Sequence, residues 1–284
     1  MRYRIKYSKQ GLMKFIGHLD MRRSFQKLLR RTGFDVTFSE GYSPHMIMSY
    51  AFPLGVGMTS DSEYVDVDFN REYPSVELVR KLNDAAPEGI HFLDARVVQP
   101  GKGNKGMTLV ARADYTLTFR PGHEWPAGWK EDFRRFTGKS EIIAVKKGKK
   151  TEKEINIAPL IYRAEADPQP HFVTGITDTG EPEITDTAGE SRVPEDMRLR
   201  TGDVFLSLSA GSTANIRPEL VMETFARQYG YEKGYESRQT DPFRFMINRD
   251  EVFASIGEEG SCRFIPLIGL GKTVSSEGDT ADTL

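Results

Sequence analysis

The stretch "RYRIKYSKQGLMKFIGHLDMRRSFQKLLRRTG", residues 2–33, decides the start of the fold because its hydrophobic period changes along its length. Residues 2–8 alternate apolar with basic side chains, which predicts a half-buried strand. The apolar positions are Tyr3, Ile5 and Tyr7, and the basic ones are Arg2, Arg4 and Lys6. Further on, Met21, Phe25, Leu28 and Leu29 recur at helical spacing among basic residues. This pattern predicts an amphipathic helix, and Gly33 stands where a left-handed cap belongs.

The next residues continue the pattern of alternating elements. Strands are predicted over 46–52, 62–69 and 90–98, with a second helix over 74–86 between the last two. The order β-α-β-β-α-β is the ferredoxin-like arrangement, in which two helices cover one face of an antiparallel sheet. We therefore expect an α+β domain over residues 1–98.

A Gly/Lys-rich linker over 99–108 separates this domain from residues 109–256, where the same order recurs more loosely. We expect two tandem ferredoxin-like units, the second carrying a long hairpin or loop insertion at about 165–200. Residues 257–284 are predicted to form a C-terminal strand and a disordered tail.

Composition limits the class of protein. The chain has 284 residues, 38% of them hydrophobic and 28% charged, which is typical of a soluble globular protein. One cysteine, Cys262, excludes an internal disulfide and a cysteine-rich metal or iron–sulfur site. With no signal peptide and no apolar run long enough for a membrane helix, we expect a cytoplasmic protein without a membrane partner.

Positive charge is concentrated at the amino terminus. Residues 1–31 contain ten basic residues and one acid, a charge of +9, although the whole chain carries −2. Such a concentration favours phosphate backbones, and we expect RNA as the partner. A solvated helix face with no ligand is the alternative. The predicted RNA contacts are Arg2, Arg4, Lys6, Lys14, Arg22, Arg23, Lys27, Arg30 and Arg31, with Lys146 and Lys147 from a lysine-rich hairpin.

Candidate chemical groups lie at the helix start and in the following loop. His18, Asp20 and His45 are candidate catalytic residues, since a histidine near a carboxylate can act as a general acid or base. Capping explains Asp20 without any chemistry and is the favoured interpretation, and turn geometry explains Gly41 and Pro44. The loop residues singled out are Glu40, Gly41, Tyr42, Pro44 and His45. No metal site or catalytic motif is predicted, so enzymatic activity stays open.

The stretch from residue 14 to residue 69 resembles the radical SAM-linked proteins, a bacterial domain of unknown function fused to a radical SAM enzyme or encoded beside one. Gly17-His18-Leu19-Asp20 and Gly41-Tyr42-Ser43-Pro44 stand where that family usually has Ser-His-Leu-Asp and Gly-Phe-Asn-Pro. A serine nucleophile at residue 17 is thereby excluded. The resemblance covers residues 1–100 and continues weakly through "TANIRPELV" and "FMINRDEVF".

The resemblance implies a separate radical SAM enzyme as partner, because one cysteine cannot hold the iron–sulfur cluster of such an enzyme. We expect a non-catalytic accessory or substrate-recognition protein, without a cofactor of its own, that binds RNA during RNA modification. Two alternatives remain. One is an RNA-processing enzyme that uses His18 or His45, and the other is a protein-interaction module that docks an acidic partner.

Overall fold

A computed structural model describes residues 1–147, 152–169, 171–173, 198–212, 214–231, 244–257 and 263–275. For residues 147, 171–173 and 198–200 it describes the backbone alone. Most of the insertion predicted at 165–200 and the tail from residue 276 therefore lie outside the described residues.

The elements of the first hundred residues follow the predicted order, with shorter bounds in places. They are β1 (Arg2–Lys9), α1 (His18–Thr32), β2 (Met48–Tyr50), β3 (Thr59–Asp68), α2 (Ser75–Asp84) and β4 (Ile90–Val98). A 3₁₀ segment, Gly11–Phe15, lies between β1 and α1. The predicted cap is confirmed, because Gly33 ends α1 with a φ of 72°, a left-handed conformation that glycine adopts without strain.

The remaining elements form the second half of the chain. They are α3 (Gly106–Leu109), β5 (Val110–Phe119), α4 (Trp129–Thr137), β6 (Ile143–Lys147), β7 (Glu152–Asn156), β8 (Ile161–Ala166), β9 (His171–Val173), β10 (Arg198–Arg200), β11 (Val204–Ser209), α5 (Pro218–Tyr229), β12 (Phe245–Ile256) and β13 (Arg263–Pro266). Two further 3₁₀ segments are Ala158–Leu160 and Leu267–Leu270. Proline opens α5, where its missing N–H has no intrahelical acceptor to lose.

Strands of both halves join one mixed sheet of nine strands, ordered β4-β1-β3-β12-β5-β11-β8, with β2 on β3 and β13 on β12. The halves meet at a short parallel pairing in which Asn248 and Arg249 of β12 face Thr59 and Ser60 of β3. The α+β class is confirmed. Two tandem ferredoxin-like units are not confirmed, because the sheet runs through both halves and β6 pairs with β7 in a separate small sheet.

Two hydrophobic clusters hold the helices on the sheet. One packs α1 and α2 on β1, β3 and β4, with Phe25, Leu28 and Phe92 among its buried members. The other packs α4 and α5 on β5, β11 and β12, around Phe133 and Phe225. Of the helices in the described residues, none has the length and apolar character needed to cross a membrane.

The half-buried strand predicted for β1 is wrong, because β1 is buried on both faces from residue 3 to residue 9. Its basic face lies under two stretches distant in sequence. The Arg4 guanidinium donates to the backbone oxygens of Asn104, in the predicted linker, and Leu267, in the 3₁₀ segment near the C-terminus. Residues 272–275 lie in the C-terminal region whose last part is predicted as a disordered tail, but they are held in place, since Val274 and Ser75 exchange hydrogen bonds.

Candidate anion-binding interface

Three of the four basic residues of β1, Arg2, Arg4 and Lys6, are neutralised within the protein. Arg2 pairs with Asp68 at 2.7 Å, and Lys6 pairs with Glu251 at 2.8 Å. Arg4 pairs with Asp66 at 2.9 Å, and these two side chains are 0% and 1% exposed. The expectation that the strand cations share an open surface with the helix is therefore wrong for Arg4 and Lys6. Buried in ion pairs, they cannot reach a nucleic acid.

The outer face of α1 keeps its positive charge. Arg23, Lys27 and Arg30 are spaced i, i+4 and i+7, so they form one stripe along the helix. Arg23 pairs with Asp20 at 3.0 Å in a solvated contact, while Lys27 and Arg30 make no ion pair with any described residue. Arg31 donates to the backbone oxygen of Ala85, at the end of α2. This stripe and Arg31 are the part of the predicted RNA surface on α1 that remains exposed.

The first turn of α1 lacks a side-chain cap. The N-cap is Gly17, so the expectation that Asp20 caps the helix is wrong. Asp20 lies in the first turn, where a negative charge suits the helix dipole. The first N–H groups of a helix have no acceptor within the helix, and Gly17 offers none from its side chain. They form an electropositive helix end.

A buried hydroxyl lies beside this helix end. The ring of His18, the first residue of α1, packs edge-on against the ring of Tyr50 with centroids 4.9 Å apart. Tyr50 is 8% exposed, and its hydroxyl has no hydrogen-bond partner among the described residues. Burial raises the pKa of Tyr50, and the Arg22 charge opposes that rise. The Nε of Arg22 is likewise buried and without a partner.

A buried cation lies in the same place. Lys9 is 4% exposed, and its ammonium donates to the backbone oxygen of Ile16, just before α1, at 2.9 Å. No carboxylate of the described residues lies within ion-pair distance of it. Burial lowers the pKa of Lys9, while Glu63 acts in the opposite direction. The Glu63 carboxylate is instead paired with Arg249 of β12, which also donates to the backbone oxygen of Phe52.

The charges around His18 act mainly against its protonation. Burial and Arg22 lower the pKa of His18, Glu63 raises it, and Lys9 lowers it again, so the net direction is down. At neutral pH His18 is therefore mainly an uncharged imidazole.

The structure does not bring His45 to His18. His45 Nδ1 lies 2.8 Å from the Ser39 hydroxyl oxygen, which also accepts the His45 backbone N–H, so this pair closes the loop onto itself. Mostly extended chain separates His45 from Tyr50, a span of about 16 Å at about 3.3 Å per residue. The other loop residues, Glu40, Gly41, Tyr42 and Pro44, are exposed, and Gly41 has a φ of 104°.

The remaining predicted RNA contacts are dispersed. Lys14 lies over the ring of Phe15 at 5.2 Å, in the 3₁₀ segment before α1. Lys146 belongs to the second half, where it donates to the Asn215 backbone oxygen at 3.1 Å. It borders a cavity of about 390 Å³, also lined by Arg217 and Glu219 at the start of α5. The side chain of Lys147 lies outside the described residues.

Sequence reasoning missed the residues that complete the helix end, namely Lys9, Tyr50, Glu63 and Arg249. Tyr50 lies in the predicted strand over 46–52, where its spacing does not distinguish it from a core residue. The run Asn248–Glu251 was the available signal, because four polar residues in a row are unusual within a buried strand. Within the described residues, no three His, Cys, Asp or Glu side chains are grouped so that they could hold a metal ion.

Comparison of the sequence with known protein families gives a match. A family described as an uncharacterized protein conserved in bacteria (DUF2344) matches residues 2–218. No curated protein matches the chain. The match covers well over half of the chain and includes β1, α1 and β3, which form the helix end. A bacterial domain of unknown function is thus confirmed, and the link to a radical SAM enzyme stays a prediction. The chain belongs to the DUF2344 family of proteins conserved in bacteria.

Proposed function

We propose that this protein is a non-catalytic accessory protein of the cytoplasm that binds RNA along the exposed face of α1 and presents it to a separately encoded radical SAM enzyme. One observation carries the RNA part of the proposal. Arg23, Lys27 and Arg30 form a solvent-facing stripe whose only nearby acid on the helix is Asp20.

The same observation sets the expected strength and salt dependence. Three phosphate contacts to single-stranded RNA give a slope of about −2 when log K is plotted against log salt concentration. Binding by such a stripe is therefore moderate, and it does not depend on base sequence, because phosphate contacts position a nucleic acid without reading it.

The radical SAM partner rests on the sequence resemblance, and exposed apolar side chains near α1 favour a protein partner of this kind. Leu12 and Phe15 project from the 3₁₀ segment before α1, and Leu19 projects from its first turn. Val56 is exposed on a loop joined to that segment by the Gly57 N–H to Lys14 carbonyl bond of 2.8 Å. Apolar side chains grouped on a surface are typical of protein contact sites.

The tandem ferredoxin-like arrangement also belongs to this proposal. The order β4-β1-β3, with β2 on the far side of β3, supports one such unit. The order β12-β5-β11-β8 supports a second, with the β6–β7 pair inserted after its first helix. In this view the sheets of the two units join at the β3–β12 pairing.

RNA binding is tested with the variant Arg23→Glu/Lys27→Glu/Arg30→Glu and a labelled single-stranded RNA. We expect fluorescence anisotropy to show an affinity loss of more than about tenfold at low salt. The matched control is Arg134→Glu/Arg135→Glu, which reverses exposed arginines of α4 that already face Glu131 and Asp132. Equal affinity of the triple variant and the wild type, both folded by circular dichroism, would rule the proposal out.

The protein contact is tested separately, by co-purification with the neighbouring radical SAM enzyme after nuclease treatment. Leu12→Asp/Phe15→Asp should abolish co-purification while leaving RNA affinity unchanged. If the enzyme is lost on nuclease treatment alone, RNA bridges the two proteins and the apolar contact is refuted.

A further inference from the structure

We propose that the start of α1 is a binding site for one phosphate group, held by the ammonium of Lys9, the guanidinium of Arg22, the hydroxyl of Tyr50 and the first N–H groups of the helix. This inference goes beyond the proposed function. It concerns buried groups beside the helix end, not the exposed stripe, and it does not require the phosphate to belong to RNA.

The charge balance of these groups, of which Lys9 and Arg249 are buried and Arg22 is half-buried, is the first argument. Lys9, Arg22 and Arg249 provide three positive charges near one carboxylate, that of Glu63. Glu63 is engaged by Arg249, so Lys9 is left buried with a single backbone acceptor. Buried charges are costly unless they are paired. A bound anion supplies the missing counter-charge.

The hydrogen-bond inventory is the second argument, and it is independent of charge. Buried polar groups in folded proteins nearly always have a partner, so an unpaired one points to a missing ligand or water. The unpaired atoms here are the Nε atoms of Arg22 and Arg249, which can only donate, and the Tyr50 hydroxyl. Lys9 also keeps donors beyond the one given to Ile16. A ligand rich in acceptor oxygens matches this set.

The position of the groups is the third argument. His18 and Arg22 are four residues apart, so their side chains lie on one side of α1. The His18 ring contacts the Tyr50 ring, and Lys9 is anchored to Ile16, two residues before the helix. The groups therefore surround the N-terminal turn, where the helix dipole also favours an anion. The number of available donors suits the oxygens of a phosphate better than the two of a carboxylate.

The test uses the full chain, with inorganic phosphate and sulfate as probes and the melting temperature as the readout. A ligand that binds only the folded state raises the melting temperature, and the shift grows with the ligand concentration relative to its Kd. We expect both anions to raise it in the wild type more than chloride at matched ionic strength. Lys9→Met should abolish the shift and make the ligand-free protein more stable, because an unpaired buried charge has been removed. The matched control Lys81→Met, on α2, should keep the shift.

Two milder variants keep the proposal testable if Lys9→Met does not fold. Tyr50→Phe removes only the hydroxyl, and Arg22→Gln removes the charge. Each should weaken phosphate binding about tenfold or more, the effect of losing one hydrogen bond to a charged group. Affinity for sulfate, which does not titrate near neutral pH, should rise as the pH falls through the range in which His18 becomes protonated, and this range lies below the ordinary pKa of a histidine. The groups that face His18 in that transition are Lys9, Arg22, Tyr50 and Glu63.

A second arm identifies the source of the phosphate. RNA carrying a 5′-phosphate is compared with the same RNA without it, in the Arg23→Glu/Lys27→Glu/Arg30→Glu background. Tighter binding of the phosphorylated RNA assigns the site to an RNA end, and equal binding assigns it to a small phosphorylated molecule. The inference is overturned if neither phosphate nor sulfate shifts the melting temperature of the wild type, or if Lys9→Met, Tyr50→Phe and Arg22→Gln all keep the full shift.

Discussion

Replacing Asp66 with asparagine should destabilise the protein far more than the same change at Asp68. Each carboxylate accepts two hydrogen bonds from one arginine of β1. Arg4 donates to Asp66 at 2.9 and 3.2 Å, and Arg2 donates to Asp68 at 2.7 and 2.9 Å. Burial differs, since the Arg4–Asp66 side chains are 0% and 1% exposed and the Arg2–Asp68 side chains 14% and 21%. The two substitutions therefore compare one chemical change in two environments.

The expected magnitudes follow from that difference. Asp66→Asn leaves the Arg4 charge buried without a counter-charge, which costs about 3–5 kcal/mol. Its amide must also turn an N–H donor toward either Arg4 or the Gly106 N–H, which now donates to Asp66 at 2.7 Å. Asp68→Asn should cost only about 1 kcal/mol, because water solvates the Arg2 guanidinium when its partner is lost.

Urea unfolding monitored by circular dichroism measures both free energies of unfolding. A double-mutant cycle with Arg4→Met should give a coupling of about 2–3 kcal/mol between Arg4 and Asp66. Equal destabilisation by Asp66→Asn and Asp68→Asn, or a coupling near zero, would refute the view that the strand cations are neutralised inside the protein.

Three further predictions concern backbone conformation, close packing and pH. Gly33→Ala should lower the free energy of unfolding by about 1 kcal/mol, because an alanine at a φ of 72° is strained although its Cβ would meet no neighbour. Thermal unfolding checks this against Gly103→Ala, where the Cβ also meets no neighbour and φ is not left-handed. Gly106→Ala should cost about 1–3 kcal/mol in urea unfolding, since its Cβ would lie 2.9 Å from that of Ala51, whereas a freely mobile linker would tolerate it. Burial raises the pKa of Glu219 in the folded state, so the folded protein binds this proton more tightly and loses stability as the pH rises above the ordinary range of a glutamate. Glu219→Gln should therefore gain stability relative to the wild type as the pH rises above the ordinary pKa of a glutamate, and a pH-independent difference would contradict the assignment.

Local patterns in the sequence predicted the elements that depend on local physics. The apolar stripe of α1 and the glycine that ends it are read directly from spacing, because a helix places residues three and four apart on one face. The burial of the basic face of β1, which carries Arg4 and Lys6, could not be predicted in this way. Alternation showed that Arg4 and Lys6 oppose Ile5, but the groups that cover them come from residues 104, 251 and 267. Burial created by chain segments so distant leaves no periodic trace.

The same reason explains why the helix end was only half predicted. His18 and Arg22 were visible as polar residues near the start of a helix, where ligands commonly bind. Their setting depends on Lys9, at the end of β1, and on Glu63, whose charge is committed to Arg249 of the second half. Local sequence patterns cannot show that Lys9 lacks a counter-charge, because the nearby carboxylate of Glu63 is paired with Arg249 of β12.

Net charge along the sequence was therefore a poor measure of how much positive charge the fold presents, and the pairing pattern is a better one. Of the cations on β1, Arg2, Arg4 and Lys6 each meet a carboxylate, whereas Lys9 meets none among the described residues. If the basic residues of the amino terminus served only to balance acids of other strands, Lys9 would be expected to meet a carboxylate as Arg2, Arg4 and Lys6 do. Without such a partner, a leucine or methionine at this position would avoid the cost of a buried charge. A lysine buried beside an open helix end, with a tyrosine hydroxyl that has no partner, is better explained by a ligand that completes the set. The free energy of unfolding of Lys9→Met, measured without phosphate, thus separates two interpretations of the same charge. If Lys9 is structural, the variant is less stable than the wild type; if Lys9 binds a ligand, the variant is at least as stable.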